Sequence, residues 1–278
     1  MAGYTPSRLR VFTASMRVYA ADLIALYGLW GFLLVRMSIP AFMIATAWGI
    51  SRIASPSSLT ASLGYLDYTA YAALGFAFFG MLAATLFDAG EKLHREMVQG
   101  TLEIVMATPA SRAAWLLGNA AGGLMLSLVD VALVIVYYTA VFGSESFNLA
   151  GAPLAAVSVA IGVVAMTGLG ILLGGLVINL KEPHAFNVLL TPFIMLLSGM
   201  MFPVEILPQP LAVASQALPL THVIESVRAS LLRGAGFWEI APHLGILAVE
   251  AVIYSVAGYA LFTALERRAL KNGDLVKY

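Results

Sequence analysis

The sequence predicts an all-α integral membrane protein with about six spanning helices, and three observations predict it. Hydrophobic residues make up 60% of the chain and charged ones 11%, against roughly 45–50% and about 25% in soluble domains. Apolar stretches such as Trp115 to Phe142 and Ala150 to Ile178 exceed the roughly 20 residues that cross a bilayer as a helix. Lys and Arg gather on alternate connections, as they do on the cytoplasmic flanks of membrane proteins. The formal net charge is zero, so the balance points to neither nucleic acid nor an acidic partner. Cysteine is absent, which excludes disulfides, thiolate metal sites and a cysteine nucleophile together.

Residues 1–278 read as a single transmembrane domain. Its first segment, 1–36, is cytoplasmic, and Arg8, Arg10, Arg17 and Asp22 interrupt its Leu, Tyr, Trp and Phe residues. That mixture argues against a cleavable signal and for an interfacial amphipathic helix over Ser7 to Val35, with a further buried helix as the alternative. Spans follow near Met37 to Ala54, Thr69 to Phe87, Pro109 to Phe142, Ala150 to Ile178, Ala185 to Phe202 and His243 to Leu265. An even number of spans puts both ends on one side. That side carries Arg8, Arg10, Arg17, Arg36, Lys92, Arg95, Arg112, Lys181, Arg267, Arg268, Lys271 and Lys277, while the other carries Arg52, Arg228 and Arg233. Both termini are therefore expected in the cytoplasm, with the chain multi-pass in the cell membrane.

Between the second and third spans lies a polar cytoplasmic segment, 88–112. Leu93, Met97, Thr101 or Leu102, and Val105 recur at helical spacing, opposite Glu91, Lys92, Arg95, Glu96 and Glu103. Such a helix would lie along the inner surface with its charged face to the cytosol. Gly100 marks a bend, and Thr108 with Pro109 supplies an N-cap and first residue for the third span. On pattern alone the segment could equally be a plain amphipathic connector. Between the fifth and sixth spans, 203–242 is broken by Pro203, Pro208, Pro210 and Pro219 yet largely apolar. Short outer re-entrant or surface helices suit it, since non-helical backbone at membrane depth must be shielded by protein.

The run HREMVQGTLEIVMATPASRAAWLLG, His94 to Gly118, resembles the signature of ABC-2 type permeases, the transmembrane subunits of ABC exporters, in their drug-efflux-like branch. The positions that carry it are Arg95, Glu96, Gly100, Thr101, Leu102, Glu103, Thr108, Pro109, Arg112 and Gly118. A second stretch, Leu196 to Gly234, is similar to the family's segment after the fifth span, with Phe202-Pro203 and Leu218-Pro219-Leu220. The resemblance implies that 88–112 is a coupling helix. Two permease subunits, identical or different, would pair, and a separate ABC ATPase in two copies would dock on Glu91, Lys92, Arg95, Glu96, Gly100, Thr101 and Glu103. ATP and Mg would then be bound by that partner. This chain holds no cofactor, no metal and no catalytic residue in such a reading, and it has no G-x-x-x-x-G-K-[ST] loop. The cargo implied is an amphipathic small molecule, a lipid-linked compound or a glycan, carried outward.

Four polar positions near or inside the spans are candidates. Asp130 and Glu250 lie within spans, where an ionised side chain costs roughly 2.5–3.5 kcal/mol, so each is a transport candidate beside the plainer reading of a hydrogen-bonded packing group. Glu225 and Arg228 in the outer hairpin, at i and i+3, form a local pair or a gate contact. His184, His222 and His243 stand at span ends without metal-ligand spacing. Gly118 with Gly122, and Gly170 with Gly174, allow close helix approach within a subunit or across a dimer. Alternatives to the permease reading are a proton-driven secondary transporter and an intramembrane enzyme using Asp130 and Glu250. The latter lacks any H-E-x-x-H or G-x-S-x-G.

Overall fold

A computed structural model describes residues 7–54, 65, 67–88, 108, 111–177 and 183–272. The described residues form a bundle of helices. Among them, five helical stretches are long and apolar enough to cross a membrane: Arg8–Arg52, Tyr68–Phe87, Ala114–Phe142, Leu149–Leu176 and Phe237–Ala264.

Helix α1 (Arg8–Ala54) is one element broken at Gly28, whose φ of 67° and ψ of 162° lie outside the helical region. Glycine alone tolerates such a φ without cost from a side chain. The break ends the N-terminal helix at Gly28 rather than near Val35, because Leu29 to Val35 is apolar and continues into the first span. Ahead of the break, α1 packs along α4 (Arg112–Phe142): Gly118 faces Phe12 and Ser15, and Gly122 faces Met16 and Tyr19. Both numbers rise together, so the two helices run in the same direction. The Gly118/Gly122 pair thus serves close packing within the chain.

At the centre stands α2 (Tyr68–Ala77), every residue of which is buried. Its Ala-rich sequence lets α1, α4 and α8 (Pro219–Arg228) approach it closely. Asp67 caps it, Oδ1 accepting the Thr69 N–H at 2.8 Å. A short α3 (Phe79–Ala83) and a π-helical turn, Ala84–Asp88, carry it on towards segment 88–112. Helix α4 begins at Arg112 with Ser111 as N-cap, its hydroxyl accepting the Ala114 N–H at 3.4 Å. Thr108, the expected cap, lies in a bend three residues earlier, and the backbone leaves the extended region only after Ser111.

Helix α5 (Ala152–Val177) pairs with α9 (Phe237–Asn272): Gly168 meets Tyr254 and Ser255, and Gly258 meets Gly168 and Leu172. Helix α9 begins at Phe237, ahead of the expected His243; Pro242 lies in its second turn without ending it. The fifth expected span, Ala185 to Phe202, is a helix of 15 residues, α6 (Pro183–Leu197), shorter than the roughly 20 needed alone. With the turn that follows, α6 runs antiparallel to α2 and α3. Asn187 donates to the Leu86 carbonyl at 2.8 Å near one end, and Tyr68 to the Met201 carbonyl at 3.1 Å near the other.

The segment 203–242 holds α7 (Gln209–Ser215) and α8. All of α8 except Glu225 is buried. Val223 packs on Gly162 of α5 and Ser230 on Gly151, so α8 runs antiparallel to α5.

Candidate functional site

Arg228 organises the end of the bundle that carries Asp67. Its side chain is fully buried, and it donates to three backbone carbonyls: Nε to Tyr71 at 3.0 Å, Nη1 to Gly199 at 2.8 Å and Nη2 to Met200 at 2.7 Å. The guanidinium also lies 3.5 Å from the centre of the Tyr71 ring. Nη1 reaches Glu225 Oε1 at 3.2 Å, so the local pair expected from the sequence exists, as the longest of the four hydrogen bonds. One planar group therefore ties α2, the turn after α6 and α8 together, which a lysine's single ammonium could not do in this geometry. Gly75 makes room for it, since a methyl there would overlap both the Met200 carbonyl and the guanidinium. Burial raises the Glu225 carboxyl above the usual range, and the Arg228 charge opposes that rise. Arg233 pairs instead with Glu239 at 2.8 Å.

Beside it, Asp67 uses its second oxygen to accept the Tyr138 hydroxyl of α4 and the Ser146 hydroxyl, the latter at 3.2 Å. Tyr138 is buried, so its hydroxyl has no water to fall back on. Tyr138→Phe should lower stability by about 1.5–3 kcal/mol, the range for a hydrogen bond to a charged group. A melting curve of the protein in nanodiscs checks this, with Thr139→Val, on the exposed side of the same helix, as the control.

Asp130 is ion-paired to Arg36 of α1, with Gly80 beside it. The pair lies about 27 Å along α4 from Arg112, well inside the bundle. Arg36 is therefore no flank residue, as its charge had suggested, but the partner of Asp130 in a helix-to-helix contact.

Glu250 is only 7% exposed, and neither of its carboxylate oxygens has a hydrogen-bond partner. It lies on α9 beside the turn joining α7 to α8. That turn is clamped by Tyr254, which donates to the Ala217 carbonyl at 2.5 Å, and by His222, whose Nε2 lies 3.0 Å from the Gln216 carbonyl. His222 and His243 meet, Nδ1 to Nδ1, at 3.3 Å. The two were expected to be scattered; the fold joins them because α8 docks on α9.

The sequence model of the ABC-2 family transporter protein matches residues 49–260. This chain belongs to the ABC-2 transporter family. It is 30% identical over 226 residues to nodulation protein J of Rhizobium leguminosarum bv. trifolii, covering 75% of this chain and 77% of that one. To the inner membrane transport permease YhhJ of Escherichia coli (strain K12) it is 28% identical over 181 residues, covering 64% of this chain and 47% of that protein. Nodulation protein J of Rhizobium meliloti (strain 1021) is 26% identical over 208 residues.

In this ABC-2 chain the expected docking residues Glu91, Lys92, Arg95, Glu96, Gly100, Thr101 and Glu103 lie outside the described residues. The helices that receive their segment are described: the π-helical turn Ala84–Asp88 packs on α4 and α5. The Arg36, Asp67, Tyr71 and Tyr138 contacts were missed from sequence. A cation or acid within an apolar run was the signal for Arg36; for the two tyrosines nothing in the sequence distinguished them from lipid-facing aromatics.

Proposed function

We propose that this ABC-2 chain forms the membrane pathway of an ATP-driven exporter, spanning the cell membrane six times with both termini cytoplasmic. It pairs with a second permease subunit, and two copies of a separate ABC ATPase dock on 88–112. The hairpin 203–242 dips into the outer leaflet between the spans. The cargo is an amphipathic small molecule, a lipid-linked compound or a glycan.

One observation carries the reading. The segment 88–112 is continuous at one end with the π-helical turn after α3 and at the other with α4, and these two elements pack on each other. A rigid-body push on the segment would pass directly into the central helix and its neighbour. The relative named an inner membrane transport permease supports the same reading.

The test is whether a neighbouring reading frame encodes a protein with a G-x-x-x-x-G-K-[ST] loop, and reconstitution of that protein with this chain. The wild-type pair should co-purify and hydrolyse ATP in a vanadate-sensitive way. Arg95→Glu combined with Glu103→Arg should reduce cargo transport at least about tenfold while the chain still inserts. Unchanged assembly and transport in that variant would remove 88–112 as the docking surface.

A further inference from the structure

We propose that the groove between α9 and the α7–α8 turn binds a lipophilic, singly charged cation of the alkylammonium class, with Glu250 as its counter-ion. The groove has a volume of about 680 Å³, within the roughly 300–1,000 Å³ range of small-molecule sites. Its walls are largely aliphatic: Ala217, Ile246, Val249 and Ile253, with Pro242 at one side. Among the described residues Glu250 is its one carboxylic acid and no Lys, Arg or His lines it, while Gln216 and Tyr254 are its other polar side chains.

Three features identify the ligand. A carboxylate whose two oxygens are buried and unpartnered is costly unless a proton or a cation joins it, and no described residue supplies a cation. The open groove runs beside Glu250 while both oxygens are closed off from it, so the carboxylate turns towards the groove when the cation binds; neutralisation by a proton alone would need neither the space nor the turn. The groove also opens onto a face of α9 where Val249, Val252, Ile253 and Val256 are exposed, so the ligand arrives from an apolar medium. It must therefore carry an apolar body as well as a positive charge.

A zwitterionic lipid headgroup fits poorly. Its phosphate would enter a site where no described residue offers a cation to meet it. A single positive charge on a hydrocarbon body matches the acid and the aliphatic walls together. The inference stands on the groove alone and does not rest on the transport reading; binding is read without ATP or ATPase, so its failure leaves that reading intact.

The experiment uses the full chain in phosphatidylcholine nanodiscs and electron paramagnetic resonance of three spin-labelled probes. These are an alkyltrimethylammonium, an alcohol of the same chain length and a phosphatidylethanolamine. The ammonium should show a motionally restricted population that unlabelled alkyltrimethylammonium displaces, and the alcohol should show none. Affinity for the ammonium should fall at least about tenfold in Glu250→Gln, and similarly in Ile246→Trp, which fills the groove and keeps the acid. Melting curves establish that each variant is folded; if Glu250→Gln is not, Ile246→Trp decides. Unchanged ammonium binding in the folded variants, or equal binding of the alcohol, overturns the proposal. A restricted phosphatidylethanolamine population that disappears with Glu250 would also overturn it, by assigning the groove to a lipid headgroup.

Discussion

Replacing Arg228 with leucine should destabilise the protein by about 3–5 kcal/mol, the cost of removing one partner from a buried, hydrogen-bonded charge network. The loss falls on several groups at once. Glu225 keeps its carboxylate in a largely buried site, and the carbonyls of Tyr71, Gly199 and Met200 lose their donors. Arg228→Lys keeps the charge but neither the planar fork nor the stacking on Tyr71, so it should recover only part of the loss. Adding Glu225→Gln to Arg228→Leu should also recover part, because it removes the stranded charge. Melting temperature and the folded fraction in nanodiscs measure all three. If Arg228→Leu melts like the wild type, Arg228 does not join α2, α6 and α8.

The second large effect is expected at the Arg36–Asp130 pair. Asp130→Ala leaves Arg36 without its partner inside the bundle, and Arg36→Ala leaves Asp130 likewise. Each should reduce folded yield several-fold, bounded by roughly 2.5–3.5 kcal/mol for a charge at the membrane centre. The side chains are 20% and 13% exposed, so some of that cost is relieved by solvent or lipid-snorkelling. Combining Arg36→Asp with Asp130→Arg restores opposite charges and should return most of the yield. The same series separates packing from transport. A role for Asp130 in carrying substrate or protons predicts that Asp130→Asn abolishes transport at normal yield; a packing role predicts that yield and transport change together, and that the charge-reversed pair rescues both.

Much of the helical layout was legible in the sequence. Long apolar runs at Trp115 to Phe142 and Ala150 to Ile178 became α4 and α5, because in lipid a helix satisfies its own backbone within one segment. The proline-broken hairpin was legible as irregular, and Glu225 with Arg228 as a pair. Boundaries set by local chemistry were less so. Ser111 rather than Thr108 caps α4, and Gly28 rather than the last residues before Arg36 ends the N-terminal helix.

The partners of the polar groups could not be read. Arg36 and Asp130 are 94 positions apart, and Arg228 and Tyr71 are 157 apart. A helix that is apolar on every side gives no periodic signal of how it is rotated, and so none of which residue faces which neighbour.

The sequence by itself determined that the chain lives in a membrane as a helical bundle, and its motifs pointed to the ABC-2 family. Those properties follow from composition and from patterns local to one segment. Only the tertiary structure decided that Asp130 is neutralised by Arg36, that Arg228 is a buried joint among three segments, and that Glu250 is left without a partner beside an open groove. Pairing of charges in an apolar bundle depends on helix depth and rotation, which packing between distant segments sets.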